Sequence, residues 1–204
     1  MGARRVVVTE RFHISFICTG NRARSPVAEY TMRAATEGLP ITVSSAGLLD
    51  LDGARPLPDV ATAASDLGLD LSAHASACIH GADLSSADLV IGFELQHVAG
   101  AVIEARAPRR VTFTLPELLR LLDGAHGSET DPVARARSLV GQADDRRERE
   151  QRPLVEEIRD PIGEPRDVQS RIAQQVHVMT LRLAEQLFGR APDTSGVTGS
   201  SNPA

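Results

Sequence analysis

Cys18 stands six residues before Arg24 and seven before Ser25, in the run Cys18-Thr19-Gly20-Asn21-Arg22-Ala23-Arg24-Ser25. A thiolate and a fixed cation at that spacing suit one task, attack on a tetrahedral anion held between them. Arg24 can meet two phosphate oxygens with its planar fork. The N–H groups of so short a loop can turn inward around the same anion, and a helix that follows adds about half a positive charge at its N-terminus. The same field favours the thiolate, the form of Cys18 that attacks. Gly20 and Asn21 are residue types that tolerate the left-handed backbone such a cradle needs, and Ser25 can hydrogen-bond the sulfur. All 22 basic residues are Arg, so this spacing arises easily by chance and its weight comes from the elements around it.

Those elements alternate. His13–Ile17 (HISFI) predicts a strand that stops at the cysteine. A helix is expected from Ser25, with Ser25 as its N-cap, Pro26 at its first position and Gly38 at its end. Ala28, Met32, Ala35 and Leu39 give that helix a buried stripe. Strands are expected at Ile41–Ser45, Asp88–Ile91 and Arg110–Phe113, and helices at Pro58–Leu67 and Glu94–Ala105. Thr114-x-x-Glu117 is a capping box that opens a short helix ending at Gly124. Val168, Ile172, Val176, Met179, Leu183 and Leu187 hold one face of a last helix, Val168–Phe188. The alternation predicts a single-domain α/β fold, a four-stranded parallel twisted sheet with helices on both faces. Ligands in such folds sit beyond the carboxyl ends of the strands, where Cys18 falls.

Composition narrows the rest. With 204 residues, 42% hydrophobic and 24% charged, the chain can bury one core. A net charge of −5 argues against a nucleic-acid or membrane-surface partner. The lack of lysine removes Schiff-base and Walker-type phosphate chemistry. Residues 1–10 read as a mobile leader, 11–189 as the domain and 190–204 as a disordered tail. The charged stretch 125–152 reads as a solvated helix with both signs interspersed and a Glu148–Arg152 pair. No apolar run reaches the roughly 18 residues of a membrane span, and the N-terminus makes a poor signal peptide, so a reducing cytoplasm is expected. Cys78 reads as a small core hydrophobe. His74, His80, His97, His126 and His177 show no metal spacing and read as structural or surface residues, and His13 as a packed or capping imidazole. No metal or cofactor is expected.

The run CTGNRARSPVAE resembles the signature of the low-molecular-weight protein tyrosine phosphatase family. The resemblance continues through Ser44-Ser45-Ala46-Gly47, Gly68–His74, Ala87–Ile91 and Asp160-Pro161, and covers most of residues 12–189. It implies a four-stranded parallel sheet and a phosphocysteine formed on Cys18. It also implies that Arg24 and the N–H groups of residues 19–24 hold the phosphate, with Thr19, Gly20, Asn21, Arg22, Ala23 and Ser25 as the phosphate-binding loop. Asp160, which read alone is only a turn residue before Pro161, would protonate the leaving oxygen and then activate water.

Three departures stand out. Ala23 replaces a cysteine that in relatives pairs with the nucleophile, so a sulfenic acid on Cys18 lacks a nearby resolving thiol. Arg22 replaces a smaller or apolar residue near the pocket rim, either adding positive field for an acidic substrate or pointing to water. Ile162-Gly163 stand where tyrosine-specific relatives carry aromatics, leaving Leu49, Leu51, Phe93 and Ile162 to wall a phenyl ring. The resulting expectation is a hydrolase of phosphomonoesters. Its substrate would be phosphotyrosine protein, with a cognate tyrosine kinase as a possible partner. The alternatives are phosphoarginine hydrolysis, an arsenate reductase or transferase coupled to a small thiol, and an idle phosphate-binding module.

Overall fold

A computed structural model describes residues 10–51, 53–150 and 155–189. Its sheet has four parallel strands in the order β2-β1-β3-β4: β1 Phe12–Cys18, β2 Ile41–Gly47, β3 Leu89–Gly92 and β4 Thr112–Thr114. Register sets Cys18 beside Gly47 and Ile17 beside both Ala46 and Gly92, so three strand ends converge at Cys18. Period-two alternation divides the core between the two faces. Phe12, Ile14, Phe16, Leu89 and Ile91 join the main cluster, while Ile17 and Val90 join Ile79, Ala101, Ala105 and Ala107 on the other side. This is the doubly covered sheet the alternation predicts.

The helices are α1 Arg24–Ala35, α2 Pro58–Asp66, α3 Leu95–Glu104, α4 Leu115–Leu121, α5 Pro132–Arg149 and α6 Arg166–Phe188. Thr114 and Glu117 form the expected capping box, each side chain accepting from the other's backbone N–H. The long α6 packs against α1, α2 and α5 on the larger face. Ridges of apolar side chains at helical spacing bury Val168, Ile172, Val176, Leu183 and Leu187 there.

Several expectations need correction. The first helix begins at Arg24 with Ala23 as its N-cap, and Ser25 caps nothing because its hydroxyl is used inside the preceding loop. Gly38 lies beyond the helix end in the turn that enters β2, at φ 81°. A 3-10 turn over Arg109–Val111 displaces the start of the fourth strand to Thr112. The charged stretch is not a wholly solvated helix: α5 buries Val133, Ala136, Leu139, Val140 and Ala143. Its arginines are fastened to the body as well. Arg146 donates to the carbonyls of Leu121 and Asp123, both at 2.7 Å, and Arg147 to Thr112 O at 2.8 Å while its guanidinium lies 4.0 Å over the Phe113 ring. Interspersed charge concealed an apolar stripe too narrow to stand out. The leader expected at 1–10 and the tail at 190–204 fall almost wholly outside the described residues, as does Arg152 of the expected Glu148–Arg152 pair.

Candidate active site

The loop between β1 and α1 is half-buried, and its conformation is fixed chiefly by Asn21. This residue takes the left-handed conformation, φ 51°, and is fully buried. Its amide hydrogens go to Ser25 Oγ at 2.8 Å and Ser45 Oγ at 2.7 Å, and its Oδ1 accepts from Ala77 N–H at 2.9 Å. Its carbonyl accepts from His74 Nε2 at 2.8 Å. Every polar group of the side chain is thereby satisfied, as burial requires. Gly20, expected to share the left-handed role, does not have a positive φ. The glycine that the loop requires is Gly47 at the end of β2. A Cβ there would stand 2.8 Å from both Asn21 N and Gly20 C, inside contact distance of backbone that cannot move aside.

These bonds orient the donors on sulfur. Both Asn21 amide hydrogens are taken, and Ser45 passes its own proton to the buried Glu29 carboxylate. Ser25 Oγ already accepts from Asn21, so its proton is left for Cys18 Sγ, 3.0 Å away. Asn21 N–H donates to the same sulfur at 3.2 Å. Two donors thus converge on the one sulfur.

Arg24 is the largest fully buried side chain among the described residues. A guanidinium carries five N–H donors. Nη1 donates to Glu94 Oε2 and Ile158 O, both at 2.7 Å, and Nη2 to Thr19 Oγ1 at 2.9 Å and to Asp160 Oδ2. Nε is buried and has no acceptor among the described residues. A buried cation needs anions beside it, and Glu94 and Asp160 meet that need from the loops that follow β3 and precede α6. Below the guanidinium lies the Phe93 ring, 5.8 Å from it.

Glu94 and His97 are the functional-site residues that motif reading missed. Glu94 is the N-cap of α3, and His97 reaches back to it from the third helical position. His97 Nδ1 accepts from the N–H groups of Phe93 at 3.3 Å and Glu94 at 3.0 Å. The proton of the neutral ring is therefore on Nε2, 3.2 Å from Thr19 Oγ1. Burial and the nearby Arg24 charge push His97 down to about 4, with Glu94 and Asp160 opposing. Two rules point to Glu94 without a motif: a buried arginine seeks a carboxylate, and loops at the carboxyl ends of parallel strands converge.

Cys18, Thr19, Gly20, Arg22, Ala23 and Arg24 line a cleft with Asp160, walled by Leu49, Leu51, Leu57 and Ile162. Of the four side chains expected to wall a substrate ring, Leu49, Leu51 and Ile162 line this cleft. Phe93 does not: it has no exposed surface and lies beneath Arg24. A ring directly after β3 points into the core because the strand's alternation carries over to it. Along the cleft floor the N–H groups of Gly20, Arg22, Ala23 and Arg24 have no acceptor among the described residues. Asp160 is part-exposed, and its Oδ1 accepts from Ile162 N–H at 3.1 Å, which holds the Asp-Pro turn.

Cys78 is no core hydrophobe. It is half-buried, pairs backbone with Gly47, and its Sγ lies 3.0 Å from His80 Nδ1. Since Cys18 and Cys78 flank Gly47 on opposite sides, their Cα atoms lie about two strand spacings, or about 9.5 Å, apart. A disulfide needs less than about 7 Å. His74 is buried against the loop, His80 pairs with Glu104 at 2.9 Å, and His177 meets Thr31 Oγ1 at 2.9 Å.

The model of the family described as low molecular weight phosphotyrosine protein phosphatase matches residues 13–164. The chain is 31% identical over 148 residues to a protein-arginine-phosphatase of Bacillus subtilis, covering 72% of this chain and 96% of that one. It is 33% identical over 78 residues to a probable low molecular weight protein-tyrosine-phosphatase, EpsP, of Ralstonia solanacearum, covering 38% of this chain and 52% of that one. The crystal structure of a YwlE mutant from Bacillus subtilis superposes with a TM-score of 0.62 at 26% identity, covering 86% of this chain and 98% of the other. With the family's signature run folded around a buried arginine and a doubly hydrogen-bonded sulfur, the chain belongs to the low molecular weight phosphotyrosine protein phosphatases, a family of cysteine-dependent phosphatases.

Proposed function

We propose that this chain hydrolyses phosphorylated side chains of proteins, phosphotyrosine foremost, through a phosphocysteine on Cys18. The observation that carries the reading is the unanswered set of donors around the sulfur, the buried Arg24 Nε and the N–H groups of Gly20, Arg22, Ala23 and Arg24. Buried donors without acceptors are costly, and a tetrahedral oxyanion above Sγ answers them together. Asp160 holds Nη2 of Arg24 until such an anion arrives. A phosphate oxygen replaces the carboxylate there, which frees Asp160 for proton transfer.

Asp160, released from Arg24, takes up a proton; the sulfur anion then attacks phosphorus in line as the bond to the leaving oxygen breaks, and Asp160 passes that proton to the leaving oxygen. Charge spread over the equatorial oxygens meets donors already in place, so no reorganisation is needed in the transition state. In the second half Asp160, now a carboxylate, takes a proton from water. The water oxygen attacks phosphorus, the S–P bond breaks, and phosphate leaves with the Cys18 thiolate restored. A tyrosine kinase would supply such a substrate, and a thiolate enzyme suits a reducing cytoplasm.

Walls of Leu49, Leu51, Leu57 and Ile162 suit the flat face of a phenyl ring. Phosphoarginine is the second reading, and the Bacillus subtilis relative's name favours it. Arsenate reduction by relay needs partner cysteines, and Cys78 sits too far from Cys18 to serve. The test is turnover of p-nitrophenyl phosphate by wild type, Cys18→Ser and Asp160→Asn, followed by matched phosphotyrosine and phosphoarginine peptides. The first variant should be inactive and the second slowed by roughly 10²–10⁴. Full turnover by Cys18→Ser would end the reading.

A further inference from the structure

Arg22 lines the catalytic cleft, yet neither the fold nor the reaction above uses its charge. Its position is fixed by two hydrogen bonds. Leu57 N–H donates to Arg22 O at 2.9 Å, which ties down its backbone. Its own Nε donates to Arg55 O at 2.6 Å. Arg55 in turn is clamped by its Nη1, which donates to Ser72 O at 2.8 Å and His74 O at 3.4 Å. Held by Nε, the guanidinium keeps both terminal amino groups without an acceptor among the described residues, and no carboxylate there pairs with it. The other charges of the cleft are committed. Arg24 has Glu94 and Asp160, and its remaining donor faces the phosphate chemistry already described. In a chain of net charge −5, an anchored cation with no carboxylate partner among the described residues is a local reversal of sign in the cleft.

We infer that Arg22 is a specificity-determining residue that binds a carboxylate of the substrate peptide beside the phosphorylated side chain, selecting acidic over neutral flanks. The inference rests on the phosphatase reading and adds the substrate's neighbourhood to it. An arginine fork with two free amino ends matches the two oxygens of a carboxylate. Because the side chain is already anchored, little rotamer freedom is lost when the acid arrives, which is the usual cost of an exposed ion pair. The contact lies at the lip and away from phosphorus, so it acts on binding of the peptide. Discrimination should therefore appear in KM and leave kcat alone, and it should weaken as salt rises.

The experiment compares three phosphotyrosine peptides that differ only in the neighbouring residue, Glu, Gln or Lys, with p-nitrophenyl phosphate run alongside. Wild type should prefer the Glu peptide over the Gln peptide by about threefold to fivefold in kcat/KM, carried by KM. Arg22→Gln should bring that ratio to about one, and Arg22→Glu should reverse the preference toward the Lys peptide. The ratio between peptides is the readout, so any loss common to all substrates cancels. Equal use of the Glu and Gln peptides by wild type, or an undiminished preference in Arg22→Gln, would overturn the inference while p-nitrophenyl phosphate turnover leaves the phosphatase reading standing. Absence of p-nitrophenyl phosphate turnover in wild type would instead strike the phosphatase reading itself.

Discussion

His97 makes the site a source of acid sensitivity, and the size of the effect follows from its surroundings. Its ring is fully buried, and Nδ1 accepts from two backbone N–H groups, at 3.3 and 3.0 Å. A proton on Nδ1 would face those donors and add a second cation beside Arg24. Burial and that charge accordingly hold the folded value at about 4 against 6.5 for a free imidazole. Since the folded value is the lower one, the unfolded chain binds the proton first. Stability is highest above pH 6.5 and is lost as pH falls toward 4, after which the loss levels off. Between neutral pH and pH 4.5 the single group contributes a loss of about 2 kcal/mol. The perturbation is His97→Gln, whose amide can still close the capping box at the start of α3 but cannot titrate. Urea unfolding of both proteins from pH 7.5 to 4.5 isolates the term, because the carboxylates titrate alike in each. Wild type should lose about 2 kcal/mol more than the variant over that range. Parallel stability curves would refute the assignment of a neutral, doubly accepting imidazole.

Three other outcomes are expected. Glu94→Gln keeps an acceptor for Arg24 Nη1 but removes the charge from that bond, 2.7 Å long, so kcat on p-nitrophenyl phosphate should fall by about fivefold to thirtyfold, measured by steady-state kinetics. Gly47→Ala forces a Cβ to within 2.8 Å of loop backbone, so activity should collapse while circular dichroism still reports the fold, with a stability loss of about 1–3 kcal/mol. Excess peroxide should inactivate the enzyme with poor recovery on dithiothreitol, and mass spectrometry should find sulfinic acid on Cys18 and no Cys18–Cys78 disulfide. Recovery of most activity would show that another thiol protects the sulfur.

Much of this was legible before folding, for identifiable reasons. The strand-loop-helix unit from Phe12 to Ala35 was visible because its signals are local: an apolar run, a turn-prone loop, and a proline inside the first helical turn. Parallel order followed from alternation and connection length. What stayed hidden depends on contacts distant in sequence. Glu94 and the Ile158 carbonyl reach Arg24 from 70 and 134 residues away, and no periodicity encodes them. Ser25 was misread as a cap because caps and buried loop hydroxyls share one residue type. Phe93 was misread as a wall because aromatic character says nothing about which way a ring points. The buried face of α5 was obscured by the eight charged side chains on its other faces, where Arg146 and Arg147 reach over carbonyls that only the folded chain brings near.

The central claim is that Cys18 carries the phosphoryl group. Asp160→Asn, mixed with p-nitrophenyl phosphate, keeps a good leaving group for the first step but lacks the base for the second, so the intermediate should build up. Rapid quenching followed by peptide mapping should place phosphate on the fragment holding Cys18. Phosphate on any other residue, or turnover that persists when Cys18 is replaced by Ser, would contradict the account.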